Sequence, residues 1–273
     1  MSMNHPPMNE LGSDAQSTNR QSISRRQTLL AGAGMLATVA LVPSAPTRAA
    51  AAQATAQPQN ALSVSWEYIP GSLKHVSVGY NGSVWGVNAN DGIYRRSGNV
   101  WYGEAGRLKQ ISVASGSQIW GVNAAERIYR RGGNAWHLVP GSLKHVSVAP
   151  DGTVWGVNAN DLIYRFDGNH WTQILGRLKQ ISVGSSSRVW GVNANNEIYR
   201  RQGAAWVRIP GSLKYVSVAY DGTVWGVNAN DVIYRRDGNQ WTEIPGRLKQ
   251  ISVGSSSRVW GVNANNEIYR LRA

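Results

Sequence analysis

The chain has 273 residues, no cysteine and a formal net charge of +13. Without cysteine there is no disulfide, thiolate metal site or cysteine nucleophile, and a chain this long buries core enough without such staples. The one-sided charge favours anionic partners such as lipopolysaccharide, acidic glycans, membranes or nucleic acid, although excess charge also simply keeps a protein soluble.

In chain order, residues 1–51 read first, as an export signal. Ser24-Arg25-Arg26-Gln27-Thr28-Leu29-Leu30 leads into an apolar run from Leu29 to Val42, and small residues follow at Ala49-Ala50-Ala51. A cationic segment, a short apolar segment and a small-residue cleavage site are the parts of a secretory leader. The paired arginines resemble a twin-arginine signal, with Thr28 where an aromatic is usual and Leu30 where a lysine is usual. An ordinary secretory signal and an uncleaved anchor are the alternatives. The apolar run is shorter than the ~20 residues of a membrane span, so no transmembrane segment is expected in the mature chain, which is placed as secreted or periplasmic. Residues 52–61 read as a disordered linker. Residues 1–60 hold four arginines and two acids, so the remainder keeps 24 basic against 13 acidic side chains.

From residue 62 to 273 the chain is periodic. Trp66, Trp101, Trp136, Trp171, Trp206 and Trp241 are spaced by 35 residues, and so are Trp85, Trp120, Trp155, Trp190, Trp225 and Trp260. Together they are all 12 tryptophans of the chain. Such a period marks a solenoid, a propeller or an array. One unit reads Leu143-Lys-His-Val-Ser-Val, then Thr153-Val-Trp-Gly-Val-Asn, Ile163-Tyr-Arg-Phe and His170-Trp-Thr-Gln-Ile. Each piece is rich in Val, Ile, Tyr, Trp and Thr and is bounded by Gly, Asn, Asp, Ser or Pro, which is a strand-and-turn pattern. Asn81-Gly82, Asp151-Gly152 and Asp221-Gly222 suit two-residue hairpins. Each unit is therefore expected to be four antiparallel strands, a to d, and six of them fit an all-β, six-bladed β-propeller. The chain stops after strand c of the sixth unit, while a lone strand d, Ser65-Trp66-Glu67-Tyr68-Ile69, precedes the first. The N-terminal strand is expected to complete the last blade and remove two open edges. A finer period underlies this: Gly-Ser-Leu-Lys at 71, 141 and 211 alternates with Gly-Arg-Leu-Lys at 106, 176 and 246, so the detail is three-fold.

Strand order assigns the polar groups to faces. The d–a connections and b–c turns share one face, and the a–b and c–d hairpins share the other. The first face carries Lys74, Lys109, Lys144, Lys179, Lys214 and Lys249, which are all the lysines in the chain. Each opens strand a, so a ring of ammonium groups is expected at one mouth of the channel. Solvent, neighbouring carboxylates or a bound anion must offset their repulsion, and the ring reads either as an anion site or as a solvated face. Asn88, Asn123, Asn158, Asn193, Asn228 and Asn263 end strand b. An amide suits a sugar diol, and it equally suits closing a turn. The second face is dominated by arginine, as in Arg95-Arg96-Ser97-Gly98-Asn99 and Ser257-Arg258, whose planar forks suit phosphate or carboxylate when they are not merely solvated. Trp85 and its copies read as core. Trp66, Trp101, Trp136, Trp171, Trp206 and Trp241, on the outer strand, are candidates either for packing or for stacking on a sugar face. The series from Tyr94 to Tyr269 is equally open.

What is missing restricts function. His75, His137, His145 and His170 do not recur with every unit, and there is no Ser-His-Asp set, HExxH, phosphate loop or Asp-rich calcium loop. A reaction centre needs unique groups, and near-copies favour multivalent binding over catalysis. A sugar-processing enzyme would need paired carboxylates, and the few acids fall mostly in turns. No cofactor, metal or sequence-specific nucleic-acid site is expected. Two readings remain: a multivalent carbohydrate-binding protein, and a protein-interaction scaffold without sugar binding.

The Val154-Trp155-Gly156-Val157-Asn158 strand, the Ile163-Tyr164-Arg165 strand and the outer Trp171 resemble the tectonin family over all six units, about residues 62–273. That family includes tachylectin-type and fish-egg lectins. The resemblance implies a six-bladed propeller that binds surface glycans, lipopolysaccharide among them and methylated sugars in some members.

Overall fold

A computed structural model describes residues 64–272. The export segment and the linker expected over 1–61 lie outside the described residues. Within them the chain is all strand and turn, with no helix long and apolar enough to cross a membrane.

Six four-stranded antiparallel sheets form six blades in a ring. Blade 1 is His75–Val78, Val84–Val87, Gly92–Ser97 and Val100–Arg107. Blade 2 is Gln110–Val113, Ile119–Val122, Arg127–Gly132 and Ala135–Ser142. Blade 3 is His145–Val148, Val154–Val157, Leu162–Phe166 and Trp171–Arg177. Blade 4 is Gln180–Ser185, Arg188–Val192, Glu197–Gln202 and Ala205–Ser212. Blade 5 is Tyr215–Val218, Val224–Val227, Val232–Asp237 and Gln240–Arg247. Blade 6 takes Gln250–Ser255, Arg258–Val262 and Glu267–Arg272 from the C-terminal end and Ser65–Ser72 from the N-terminal end. The closing strand pairs as expected, with Trp66 opposite Leu271 and Glu67 opposite Arg270.

Strand d differs from expectation in its length. It runs through Pro70-Gly71-Ser72 and its copies, which the sequence places in the connection to the next blade. Proline is tolerated there because strand d is the outer edge, where no ladder partner needs its N–H. A β-bulge follows Ile69 and recurs in every blade. A bulge breaks the ladder locally, and here it releases a backbone carbonyl. The next blade uses it. Trp101 Nε1 donates to Pro70 O at 3.0 Å, and Trp136, Trp171, Trp206, Trp241 and Trp66 make the same bond, around the ring.

The core lies between blades rather than inside them. Strand b is buried on both faces in every blade. The inner tryptophan of one blade meets the outer tryptophan of the next edge-on, as in Trp155–Trp206 at 6.1 Å and Trp225–Trp66 at 6.2 Å between ring centroids. Gly141 sits in the left-handed region at φ 122°, and an added Cβ would lie 3.1 Å from Trp171 Cδ1. Glycine is thus required twice over there, by its backbone angle and by the ring against it.

Deleting residues 1–72 removes strand d of blade 6 and exposes the edge of strand c. Such an edge invites strand pairing between molecules. The truncated protein is expected to aggregate or to melt well below the intact chain in size-exclusion and thermal assays. A monomer with an unchanged melting temperature would disprove closure by this strand.

Candidate functional site

On the first face, the lysines and the b–c turns come together as the strand order requires. Each turn places an acid or amide in the left-handed region, from Asp91 at φ 66° to Asn266 at φ 65°. That side chain takes the lysine. Lys74, Lys144 and Lys214 bond to Asp91, Asp161 and Asp231, and Lys109 reaches Glu126 at 3.5 Å. Lys179 and Lys249 meet the neutral amides of Asn196 and Asn266. Burial pushes these two ammonium groups below the usual lysine range, and neighbouring lysines add to the effect. Four members of the ring therefore have a carboxylate and two do not.

The asparagine ring closes turns. Asn88 Oδ1 accepts from the Asn90 and Gly92 amides at 3.0 and 2.8 Å. Asn158, Asn193, Asn228 and Asn263 repeat both bonds, and Asn123 accepts from Arg127. In blades 4 and 6 the amide nitrogen is spent as well, on Glu197 at 2.7 Å and Glu267 at 2.5 Å. The outer tryptophans are half-buried, with their N–H groups committed to the preceding blade. One cleft does gather candidates from two series: Asn193, Tyr199 and Trp206 line a space of about 200 Å³ between blades 3 and 4. That is below the ~300 Å³ at which small-molecule pockets usually begin.

The channel reveals a layer that the sequence reading did not use. Strand a is the inner edge of each blade, and its outward N–H and C=O groups need partners. Gln110 supplies them for blade 3, accepting from Val146 N at 3.1 Å and donating to Val146 O at 3.0 Å. Gln180 and Gln250 do the same for blades 5 and 1. The equivalent residues of the odd blades are His75, His145 and Tyr215, and they turn to the axis instead. Tyr215 Oη lies 3.2 Å from His75 Nε2 and 3.5 Å from His145 Nε2. Burial, aided by nearby lysines, pushes both imidazoles down to about 3, and burial pushes Tyr215 up to about 12. All three are neutral at ordinary pH, and Nδ1 of each histidine has no partner.

Three concavities lie on the arginine face, one between each even blade and the odd blade after it. They measure about 410 Å³ between blades 2 and 3, 520 Å³ between blades 4 and 5, and 600 Å³ between blades 6 and 1. The same positions recur in each. A serine hairpin (Ser117, Ser187, Ser257), a buried tryptophan (Trp120, Trp190, Trp260) and a strand-c arginine (Arg130, Arg200, Arg270) line it, with the guanidinium over the indole at 5.7 to 6.0 Å from its centroid. The odd blade contributes a valine and a glycine, such as Val218 and Gly222. The position after the last serine is Gln118, Arg188 or Arg258. Where it is arginine it lies across the next hairpin: Arg188 donates to Tyr220 O at 3.1 Å and Arg258 to Tyr80 O at 3.0 Å. A Cβ on Gly222 would stand 3.2 Å from Arg188 Nε, so the small residue makes room for the guanidinium. A further groove of about 380 Å³ between blades 3 and 4 is lined by Asp151, Arg165 and Ser186. None of the lysines, turn asparagines or outer tryptophans singled out from sequence lines these large grooves. The 70-residue period was the available signal, because it sets the even-blade serine hairpins apart from the Asp-Gly or Asn-Gly hairpins of the odd blades.

This architecture, with repeated grooves between near-identical blades, defines a repeat-built β-propeller. The tectonin-domain profile matches residues 47–132, 113–203 and 186–273, and the chain belongs to the tectonin family. No curated protein matches it. Among solved structures, it is similar to YCF48 from Cyanidioschyzon merolae at 14% identity and a TM-score of 0.55, covering 76% of this chain and 98% of that one. It is also similar to a gluconolactonase from Xanthomonas campestris at 13% identity and a TM-score of 0.58, covering 75% and 87%. The WD40 propeller domain of Doa1 aligns at 9% identity and a TM-score of 0.54, covering 76% and 97%. At these identities the likeness is one of fold.

The channel histidines set an acid limit on stability. Their folded pKa lies below the free value of ~6.5, so they contribute fully above it and the contribution is lost as pH falls toward 3. Each proton adds a slope of up to about 1.4 kcal/mol per pH unit. The melting temperature is expected to drop between pH 7 and pH 4, and the double variant His75→Gln/His145→Gln to drop less, since glutamine already serves at the even-blade positions. Equal slopes in both proteins would show that neither histidine is held neutral.

Proposed function

We propose that the protein is a multivalent lectin that binds surface glycans, lipopolysaccharide among them, and performs no catalysis. The observation that carries this reading is the recurrence of one groove three times around the ring, built from the same residue types in each copy. The lining supports a polar ligand: guanidinium and hydroxyl groups dominate, beside one tryptophan in each groove. The excess of basic side chains supports an acidic surface as the target. The leader-like sequence before the propeller supports a secreted or periplasmic site of action. Family membership supports carbohydrate over other polar ligands.

A single shallow sugar site of this kind reaches a Kd of about 1 mM, roughly −4 kcal/mol. Three sites meeting one dense glycan surface raise the apparent affinity by about 10²–10⁴ without new contacts. A glycan array with a lipopolysaccharide panel is expected to give a saccharide pattern. Calorimetry with the best oligosaccharide is expected to give a stoichiometry near three, and free monosaccharide to compete poorly with a coated surface. A stoichiometry of one, with equal affinity for free and displayed sugar, would overturn multivalency. An array with no saccharide signal would leave a protein-interaction scaffold as the better reading.

A further inference from the structure

The three grooves share a plan but not a charge. Their key group is the strand-c arginine, which has a counterpart in every blade: Arg95, Arg130, Arg165, Arg200, Arg235 and Arg270. Four of the six are neutralised. Arg95 pairs with Glu104 at 3.0 Å, Arg165 with Asp167 at 2.7 Å and Arg235 with Asp237 at 2.8 Å. Arg270 donates twice to Glu67 Oε2, with the shorter contact at 2.5 Å. Arg130 and Arg200 have no carboxylate in ion-pair reach among the described residues. Neither has an acid directly opposite on strand d, where Arg270 has Glu67 and these two have His137 and Val207, nor two residues further on, where Arg165 and Arg235 have Asp167 and Asp237 and these two have Gly132 and Gln202.

The groove between blades 4 and 5 adds a second free guanidinium. Arg188 stands where the groove between blades 2 and 3 has Gln118, and no carboxylate pairs with it among the described residues. Asp221, which feels the charge of Arg188 across the groove hairpin without pairing with it, spends its oxygens on the Thr223 and Ser256 amides at 2.9 Å each. This groove thus offers donors from Arg188, Arg200 and Ser187 beside Trp190, with no carboxylate in its lining. The hydroxyls of a neutral sugar have protons to donate as well as lone pairs to accept with, and the arginines that dominate these walls can only donate. An oxyanion presents acceptors only, and arginine forks match it in charge and geometry.

We infer that the groove between blades 4 and 5 is an oxyanion site formed by Arg188 and Arg200. On the lectin reading, on which the ligand's identity rests, it holds the carboxylate or phosphate of an acidic sugar. In the groove between blades 6 and 1 Glu67 takes Arg270 and leaves Arg258, and the groove between blades 2 and 3 has Arg130 with Gln118 in place of a second arginine, so each keeps one such arginine instead of two. The three sites are therefore unequal, and the charged end of a glycan is held at one of them.

Two single substitutions test this by exchanging the cross-strand neighbour. Val207→Glu gives Arg200 the partner that Arg270 has, and Glu67→Val frees Arg270 as Arg200 is free. Both positions face outward on the edge strand, and thermal melts of each variant check that the ring is intact. Calorimetry at low salt uses a galacturonic acid trisaccharide and glucose 1-phosphate, with the galactose trisaccharide and glucose as neutral counterparts and inorganic phosphate as the bare anion. The expected result is one acid-dependent site in the parent protein, weakened about tenfold or more by Val207→Glu and weakened by added salt. A second such site is expected to appear in Glu67→Val. Preference for the trisaccharide or for the phosphate ester tells carboxylate from phosphate as the source. Acid binding that is indifferent to Val207→Glu, or three equal acid sites in the parent, overturns the inference while leaving the lectin intact. Phosphate binding that is lost in Val207→Glu, with no gain from any sugar, upholds the oxyanion site and sinks the saccharide reading.

Discussion

The hydrogen bond from each outer tryptophan to the bulged carbonyl of the preceding blade is the contact on which the rest of the ring depends. A propeller blade has two apolar faces and no core of its own, so its stability comes from its neighbours. The bulge frees a carbonyl, the glycine beside it has no side chain to hold the next blade off, and the indole enters that space with its N–H aimed at the free oxygen. Each bond, made by a half-buried indole, contributes about 0.5–1.5 kcal/mol net, and it is made six times. It fixes the spacing between blades, and so the width of every groove that opens between them. The inner tryptophans line the large grooves, and four edge-to-face contacts between inner and outer tryptophans of neighbouring blades span only 6.1 to 6.4 Å.

The inner edge poses a second constraint, and the chain meets it in two ways. Ser77 and its counterparts accept the outward amide of the next blade, as in Val113 N to Ser77 Oγ at 2.9 Å, at all six junctions. One layer closer to the lysines, the glutamines of even blades imitate a missing strand and bond both to N–H and to C=O. The odd blades forgo that device and close the axis with two imidazoles and a phenol. The channel is therefore three-fold where the outer ring is six-fold. The alternation seen in Gly-Ser-Leu-Lys and Gly-Arg-Leu-Lys runs through the whole blade, down to the hairpins that make one set of grooves larger than the other.

Much of this was legible in the sequence, and for a physical reason. Strand count, blade count, ring closure and the sharing of a face by lysines and b–c turns follow from period and alternation, which the repeat states six times over. The Trp-Gly pair of strand b is legible in the same way, since Leu73 of Gly-Ser-Leu-Lys packs where a Cβ on Gly86 would be, 2.4 Å from Leu73 Cδ1. The site was less legible because repetition has two causes. Asn88 and its copies recur because every b–c turn needs closing, and Trp101 and its copies recur because every blade needs fastening. Recurrence marked them, but as structure. The grooves fall between units, so no single repeat displays one, and Trp190 was read as core because it is core, apart from the small part that lines the groove.

Functional difference in such a ring has to come from positions that the fastening leaves free. The residue after each outer tryptophan is one of these: Glu67, Tyr102, His137, Thr172, Val207 and Thr242 follow six invariant indoles. Each faces an invariant arginine across the ladder. An acid there neutralises that arginine, as Glu67 does Arg270, and where no other acid reaches the arginine, as at Arg130 and Arg200, a neutral residue leaves it without a carboxylate; neither choice disturbs the indole bond or the blade core. Cross-strand ion pairs of this exposed kind contribute little to stability, about 0–1 kcal/mol, so gaining or losing one leaves the ring intact. The geometry thus separates what holds the propeller together from what distinguishes one groove from the next, within two adjacent residues of the same strand.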